Sequence, residues 1–182
     1  GPPWAPGRRR GAPQAAPPGP EHEEALQTLA NLSTRGDAVA RAALQTSLEE
    51  ALRAGRTADA QLLDMAESLL HETRGAEDSR GLARAAARVL ARGGRFAPAF
   101  RQIEEFGLWQ DGPTVSDVFT ALATSGPDAE LLRRAYPLPE ADPAPALDAG
   151  ARQALAARLI ALGFGARAEA LLATSPTPDA PA

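Results

Sequence analysis

The sequence predicts an all-α protein built of stacked antiparallel helical hairpins, about nine helices in all. Two observations carry this. Apolar residues make up 44% of the 182 residues but are mostly Ala and Leu, with only 4% aromatics, a palette that favours helix over pleated sheet. From Glu21 onward, apolar residues recur at helical spacing and are interrupted by Gly, Pro or Asp every 15 to 20 positions, and each interruption carries start or stop chemistry. The chain is long enough to bury a core as one domain or one repeat array.

Residues 1–20 are dominated by Pro, Gly and Ala around the run Arg8-Arg9-Arg10. Such a composition cannot bury enough surface to order itself, so this segment reads as a disordered linker. A leading helix over 21–35 carries Leu26, Leu29 and Leu32 in one stripe, with Glu21, Glu23 and Glu24 in the first turn, where the helix dipole favours negative charge. Gly36 ends it and Asp37 caps the next. The second helix carries Leu44, Leu48 and Leu52 and stops at Gly55. Thr57 is the expected N-cap of the third, whose apolar face is Leu62, Leu63, Ala66, Leu69 and Leu70, with Gly75 closing it.

The fourth helix runs from about Ser79 through Leu82, Ala86, Val89 and Leu90 to Gly93-Gly94, and the fifth holds Phe96, Phe100, Ile103 and Phe106 on one side. After Gly112-Pro113, Thr114 and Asp117 stand at capping-box spacing ahead of Val118, Phe119 and Leu122, which predicts a sixth. Pro127 suits the first position of a seventh. Residues 137–146, with Pro137, Pro139, Pro143 and Pro145, form the longest internal irregular stretch. The last two helices hold Leu155, Leu159 and Leu162, then Ala168, Leu171 and Leu172, before a Pro-rich tail over 175–182 that is also expected to be disordered.

The helix-ending glycines mark a repeat. Ala87, Leu90, Gly94, Phe96, Ala99 and Ile103 are separated by 3, 4, 2, 3 and 4 positions, and Ala156, Leu159, Gly163, Gly165, Ala168 and Leu172 repeat those intervals. Small residues fall where two helices would cross, large ones in the groove, and Gly at the turn. Leu48, Ala51, Gly55, Thr57 and Ala60 keep the small positions but put Asp64 where a large apolar residue is expected. Phe119, Leu122 and Gly126 fit, whereas Asp128, Leu131 and Ala135 depart from the pattern. The glycines Gly55, Gly94, Gly126 and Gly163 lie 39, 32 and 37 positions apart.

These spacings resemble the tetratricopeptide repeat (TPR), a helix-turn-helix of about 34 residues. The resemblance covers roughly residues 44–174; the signature Tyr is absent, the closing Pro is displaced, and Gly165 stands at an aromatic position. It implies a TPR-like α-solenoid over 21–174, with hairpins near 37–73, 78–106, 113–136 and 147–174 behind the leading helix. A nonrepeating helical bundle accounts for the same stripes. The resemblance also implies an interaction module. Some relatives of this architecture grip a C-terminal carboxylate with Lys and Asn, but this chain has no Lys and only Asn31, which argues against that mode.

Reactive side chains are scarce. With no Cys there is no disulfide, thiolate zinc site or cysteine nucleophile, and His22 and His71 are the only imidazoles. His71-Glu72-Thr73-Arg74 lacks the second His of a zinc-protease helix, and Gly93-Gly94-Arg95 lacks the Lys-Ser/Thr of a phosphate loop. Arg35-Gly36-Asp37 spells an adhesion tripeptide but reads as a helix stop and a cap. Glu49-Glu50 and Glu104-Glu105 are neighbours that point about 100° apart on a helix, so they do not converge as an acid and a base. No catalytic residue, cofactor or metal site is expected.

Two features point to a partner. Arg84, Arg88, Arg92 and Arg95 are candidate contacts for an acidic protein surface, set against a plainly solvated helix face. Trp109, in Phe106-Gly107-Leu108-Trp109-Gln110-Asp111-Gly112, either plugs a seam between hairpins or anchors a partner. The net charge of -4 and the lack of a sustained basic stripe argue against nucleic acid. All 19 basic residues are Arg, and Ala, Gly and Pro are abundant too, as GC-rich coding would produce.

No run approaches the roughly 18 apolar residues of a membrane helix. The chain begins Gly1-Pro2 without Met, read as the mark of processing or excision, with an upstream signal or membrane anchor removed. The expected function is a non-enzymatic scaffold or adaptor that binds a peptide or helix of another protein, in bacterial envelope assembly. The expected location is the periplasm, with the cytoplasm as alternative. The competing reading is an accessory helical domain of a larger enzyme whose catalytic part lies outside these residues.

Overall fold

The computed structural model describes residues 20–33, 38–56, 59–72 and 78–175. Among these the chain forms nine α-helices and no strand: α1 Pro20–Ser33, α2 Ala38–Ala54, α3 Ala60–Glu72, α4 Ser79–Arg92, α5 Phe96–Glu105, α6 Gly112–Ser125, α7 Asp128–Ala135, α8 Ala149–Ala161 and α9 Gly165–Ala173, with a 3-10 turn over Leu138–Glu140. The Gly36 stop, the Asp37 and Thr57 caps, the Gly75 stop, residues 1–19 of the expected linker and residues 176–182 of the expected tail lie outside the described residues.

α2 lies against α4, α4 against α6 and α6 against α8, while α5 and α9 fold back closely on α4 and α8. α3 leans more on α4 than on α2, α7 touches α6 and α8 only lightly, and α1 covers α2. Small side chains explain the two close hairpins. Ala86, Ala87 and Ala99 of α4 and α5 are buried, as are Ala156 and Ala168 of α8 and α9; without bulk beyond Cβ, helix backbones can approach each other. These are the two stretches in which the repeat spacing is complete. Leu44, Leu48, Leu82, Leu90, Phe100, Ile103, Phe119, Leu122, Leu131 and Leu155 belong to one core shared by α2, α4, α5, α6, α7 and α8.

Three of the four aligned glycines make the same turn. Gly55, Gly94 and Gly163 have φ of 64°, 82° and 91°, and each closes a helix with a crossed pair of hydrogen bonds. At the middle one, Gly94 N–H donates to Ala91 O and Arg95 N–H to Leu90 O, at 3.0 and 2.8 Å, the Schellman arrangement. Gly126 breaks the expectation. Its φ is -70°, and the space is what requires glycine: a Cβ there would stand 2.5 Å from both the Leu122 carbonyl oxygen and its Cδ1. A Cβ at Gly163 meets nothing within 4 Å. Gly163→Ala is therefore expected to cost about 1–2 kcal/mol through backbone conformation alone. Gly126→Ala should lose stability through a clash instead; denaturant midpoints, with D-Ala at each site by chemical synthesis, separate the two, since D-Ala rescues only position 163.

Three local expectations need correction. α6 begins at Gly112, with Asp111 as its N-cap accepting from Thr114 N–H at 3.2 Å. Thr114 therefore lies inside the first turn, which tolerates Pro113 because its missing N–H has no intrahelical partner there. Pro127 is the N-cap of α7 and not its first residue. Leu172, expected in a groove, is 48% exposed, and Leu171 is buried in its place, because α9 presents only one face to α8.

Candidate binding face

α4 is covered on most sides and open along one strip. Leu82, Ala83, Ala86, Ala87, Leu90 and Ala91 are buried, and the strip left over carries Arg84, Arg88 and Arg92, spaced so that the guanidinium groups stand one above another. α6 supplies the answering carboxylates. Asp111 takes Arg84 Nε at 2.7 Å, and Asp117 takes Arg88 Nε at 2.8 Å and Arg92 Nη2 at 3.0 Å. Arg92 Nη1 also donates to the Leu52 carbonyl of α2 at 3.2 Å. Each of these arginines is thus part of the contact between α4 and its neighbours.

They are not used up by it. Their side chains remain 33–43% exposed, and Arg84 and Arg88 each engage a carboxylate through Nε, which leaves the terminal nitrogens of the fork for a second acceptor. A groove of about 340 Å³ runs alongside, lined by Gln45 and Glu49 of α2, Arg84 and Arg88 of α4, and Asp111 and Thr114 of α6. Gly81 is part of its lining, and a Cβ there would come within 2.4 Å of Gln45 Oε1.

Burial raises the pKa of Asp111, but hydrogen bonds from Thr114 and the Arg84 guanidinium outweigh it and hold the carboxyl below its ordinary value. A depressed folded-state pKa contributes stability above the ordinary carboxylate range and loses it as pH falls through the depressed value. Asp111→Asn is therefore expected to melt lower than the parent at neutral pH. The gap should narrow below about pH 4, as thermal melts at stepped pH would show.

Arg95 and Trp109 do not join this face. Arg95 precedes α5 and pairs with Asp64 of α3 at 3.1 Å, which explains why a carboxylate stands where the repeat predicts a large apolar residue. Trp109 is partly buried against the core and stacks on Phe100, with ring centroids 6.3 Å apart and planes 27° apart. Its carbonyl accepts from Ala146 N–H at 2.9 Å. Trp109 fills the seam between α5 and the long loop before α8.

A second groove, of about 440 Å³, lies between α3 and α5, lined by Asp64, Glu67, Ser68, His71, Arg101, Gln102 and Glu105. Among the described residues no group of three or more His, Asp or Glu is placed to hold a metal ion, and no helix is long and apolar enough to cross a membrane.

Sequence reasoning overlooked what four other arginines do. Arg80 donates to Phe106 O at the end of α5. Arg158 reaches Ala123 O and Gly126 O at the end of α6, at 3.0 and 2.6 Å, together with Asp128. Arg167 reaches Tyr136 O after α7, and Arg152 reaches Leu171 O and Leu172 O of α9. Helix C-termini leave carbonyls without intrahelical partners, and cations are favoured there. Compared with family models, with curated proteins and with solved structures, the chain has no match.

Proposed function

We propose that this chain is a non-enzymatic scaffold, a TPR-like stack of hairpins that holds a peptide or helix of a partner protein in the groove across α2, α4 and α6. The observation that supports it most is the row α2, α4, α6, α8, in which each helix packs on the next. Repeat proteins build extended binding surfaces from such rows. The charge pattern supports a helical ligand with an acidic face. Arg84, Arg88 and Arg92 rise by roughly 6 Å per step along α4, the same spacing as carboxylates placed every fourth residue on a helix laid alongside.

A photoreactive residue at Glu49 or Pro113, beside the groove, tests the reading against the same residue at Glu169 on α9. Partner crosslinks concentrated at Glu49 and Pro113 and weakened in Arg84→Ala/Arg88→Ala would support it. Equal labelling at Glu169 would count against it.

A further inference from the structure

The outer helices of the molecule do not pack tightly on one another, and two of the gaps between them are closed in the same way. Between α5 and α7, Arg134 lies with its guanidinium carbon 4.2 Å from the centre of the Phe100 ring. Between the end of α7 and α9, Arg167 lies 4.5 Å from the centre of the Tyr136 ring, and Glu140 accepts two of its hydrogen bonds. Each gap therefore holds an arginine supplied by the following helix. The gap between α3 and α5 is bridged only at its Asp64 end, by Arg95; among the described residues no arginine lies on an aromatic ring there, and a groove of about 440 Å³ stays open.

That groove is rich in acceptors. Glu67 and Glu105 line it from opposite sides, and Asp64 joins them although Arg95 already pairs with it; Arg101 is the arginine of the lining. Gln102 also lines it, is only 3% exposed, and has an Oε1 with no hydrogen-bond partner. A buried acceptor left unpaired is costly, and a guanidinium, with five donors and no acceptor, is the group that suits a site of carboxylates and an amide oxygen.

We propose that the α3–α5 groove is a binding site for an arginine side chain of a partner polypeptide, held by Glu67, Glu105 and the Gln102 amide oxygen. It is the intermolecular counterpart of the two gaps that the chain fills with its own Arg134 and Arg167. This site stands apart from the α2–α4–α6 groove and does not depend on what that groove binds.

The test is a titration of the whole chain with acetyl-Gly-Arg-Gly-amide, followed by amide chemical shifts, with the citrulline tripeptide as a neutral isostere. Saturable shifts at millimolar peptide, centred on Ser68, His71, Gln102 and Glu105 and absent with citrulline, are expected. Glu105 is exposed, so Glu105→Gln leaves packing intact; it should weaken binding by about tenfold, the scale of one charge-assisted hydrogen bond. Gln102→Leu should weaken it as well, while shifts around Arg84 and Arg88 stay unchanged. The proposal is overturned by equal shifts with citrulline, by shifts centred on the α2–α4–α6 groove, or by no saturable shifts at all. Undiminished affinity in a folded Glu105→Gln protein overturns it too.

Discussion

Phe100→Ala is expected to lower stability by about 3–5 kcal/mol, the largest loss from any single side chain in this protein. Phe100 is 1% exposed and stands at the junction of three elements. Its ring meets Phe119 of α6 edge-on at 5.1 Å, stacks on Trp109 at 6.3 Å, and carries the Arg134 guanidinium of α7 on its face. Truncation leaves a cavity and removes the aromatic contacts, each worth about 0.5–1.5 kcal/mol beyond the area they bury. It also strands Arg134, whose pKa burial already depresses, with the charge of Arg133 adding to the effect. Guanidinium denaturation followed by far-ultraviolet circular dichroism would measure it. Phe100→Leu, which keeps most of the volume, should recover more than half of the loss; a midpoint within error of the parent for Phe100→Ala would disprove this account of the core.

The second large effect is expected at Arg152. It is 5% exposed, yet no carboxylate answers it among the described residues. Its Nη2 donates to Leu171 O at 2.7 Å and Leu172 O at 3.3 Å, and it also reaches the Thr174 carbonyl and hydroxyl. Burial lowers its pKa, but an arginine keeps its charge at any pH the fold survives. Arg152→Met preserves the aliphatic stem and abandons the carbonyls, so the loss should be about 1.5–3 kcal/mol, the range for hydrogen bonds made by a charged group. Relief of the desolvated charge offsets part of this, and that term would have to dominate for Arg152→Met to melt at or above the parent temperature. Lysine at this position should recover only part, because an ammonium is a point donor and not a planar fork.

What could be read from the sequence was whatever is decided within one or two helical turns. Stripes such as Leu44, Leu48 and Leu52, together with the stops at Gly55, Gly94 and Gly163, placed helices close to where they stand. The turn at Gly126 looked the same in one dimension, yet its backbone is extended, because the need for glycine there comes from the Leu122 side chain and carbonyl. Gly112-Pro113 reads as a break and so places the expected cap after it, at Thr114, whereas Asp111 before it caps the helix. The roles of the arginines were beyond local reading. Arg84 and Asp111 are 27 residues apart, and Arg92 and Leu52 are 40 apart, so nothing in the spacing marks them as partners. Aligning the repeats put Arg95 and Asp64 in separate frames, and only the fold joins them.

The arginines that sit on helix-end carbonyls change how this molecule should breathe. A helix usually loosens from its ends, and its terminal amides exchange with solvent without disturbing the rest. Here the ends of α2, α5, α6 and α9 are each held by a side chain rooted in a different helix: Arg92, Arg80, Arg158 and Arg152. Loosening any of them requires the distant root to let go as well, so amide exchange in the last turn of these helices should slow toward the rate of the helix that supplies the arginine. Opening at one helix tip is thereby coupled to the helix that holds it, and not confined to the tip itself.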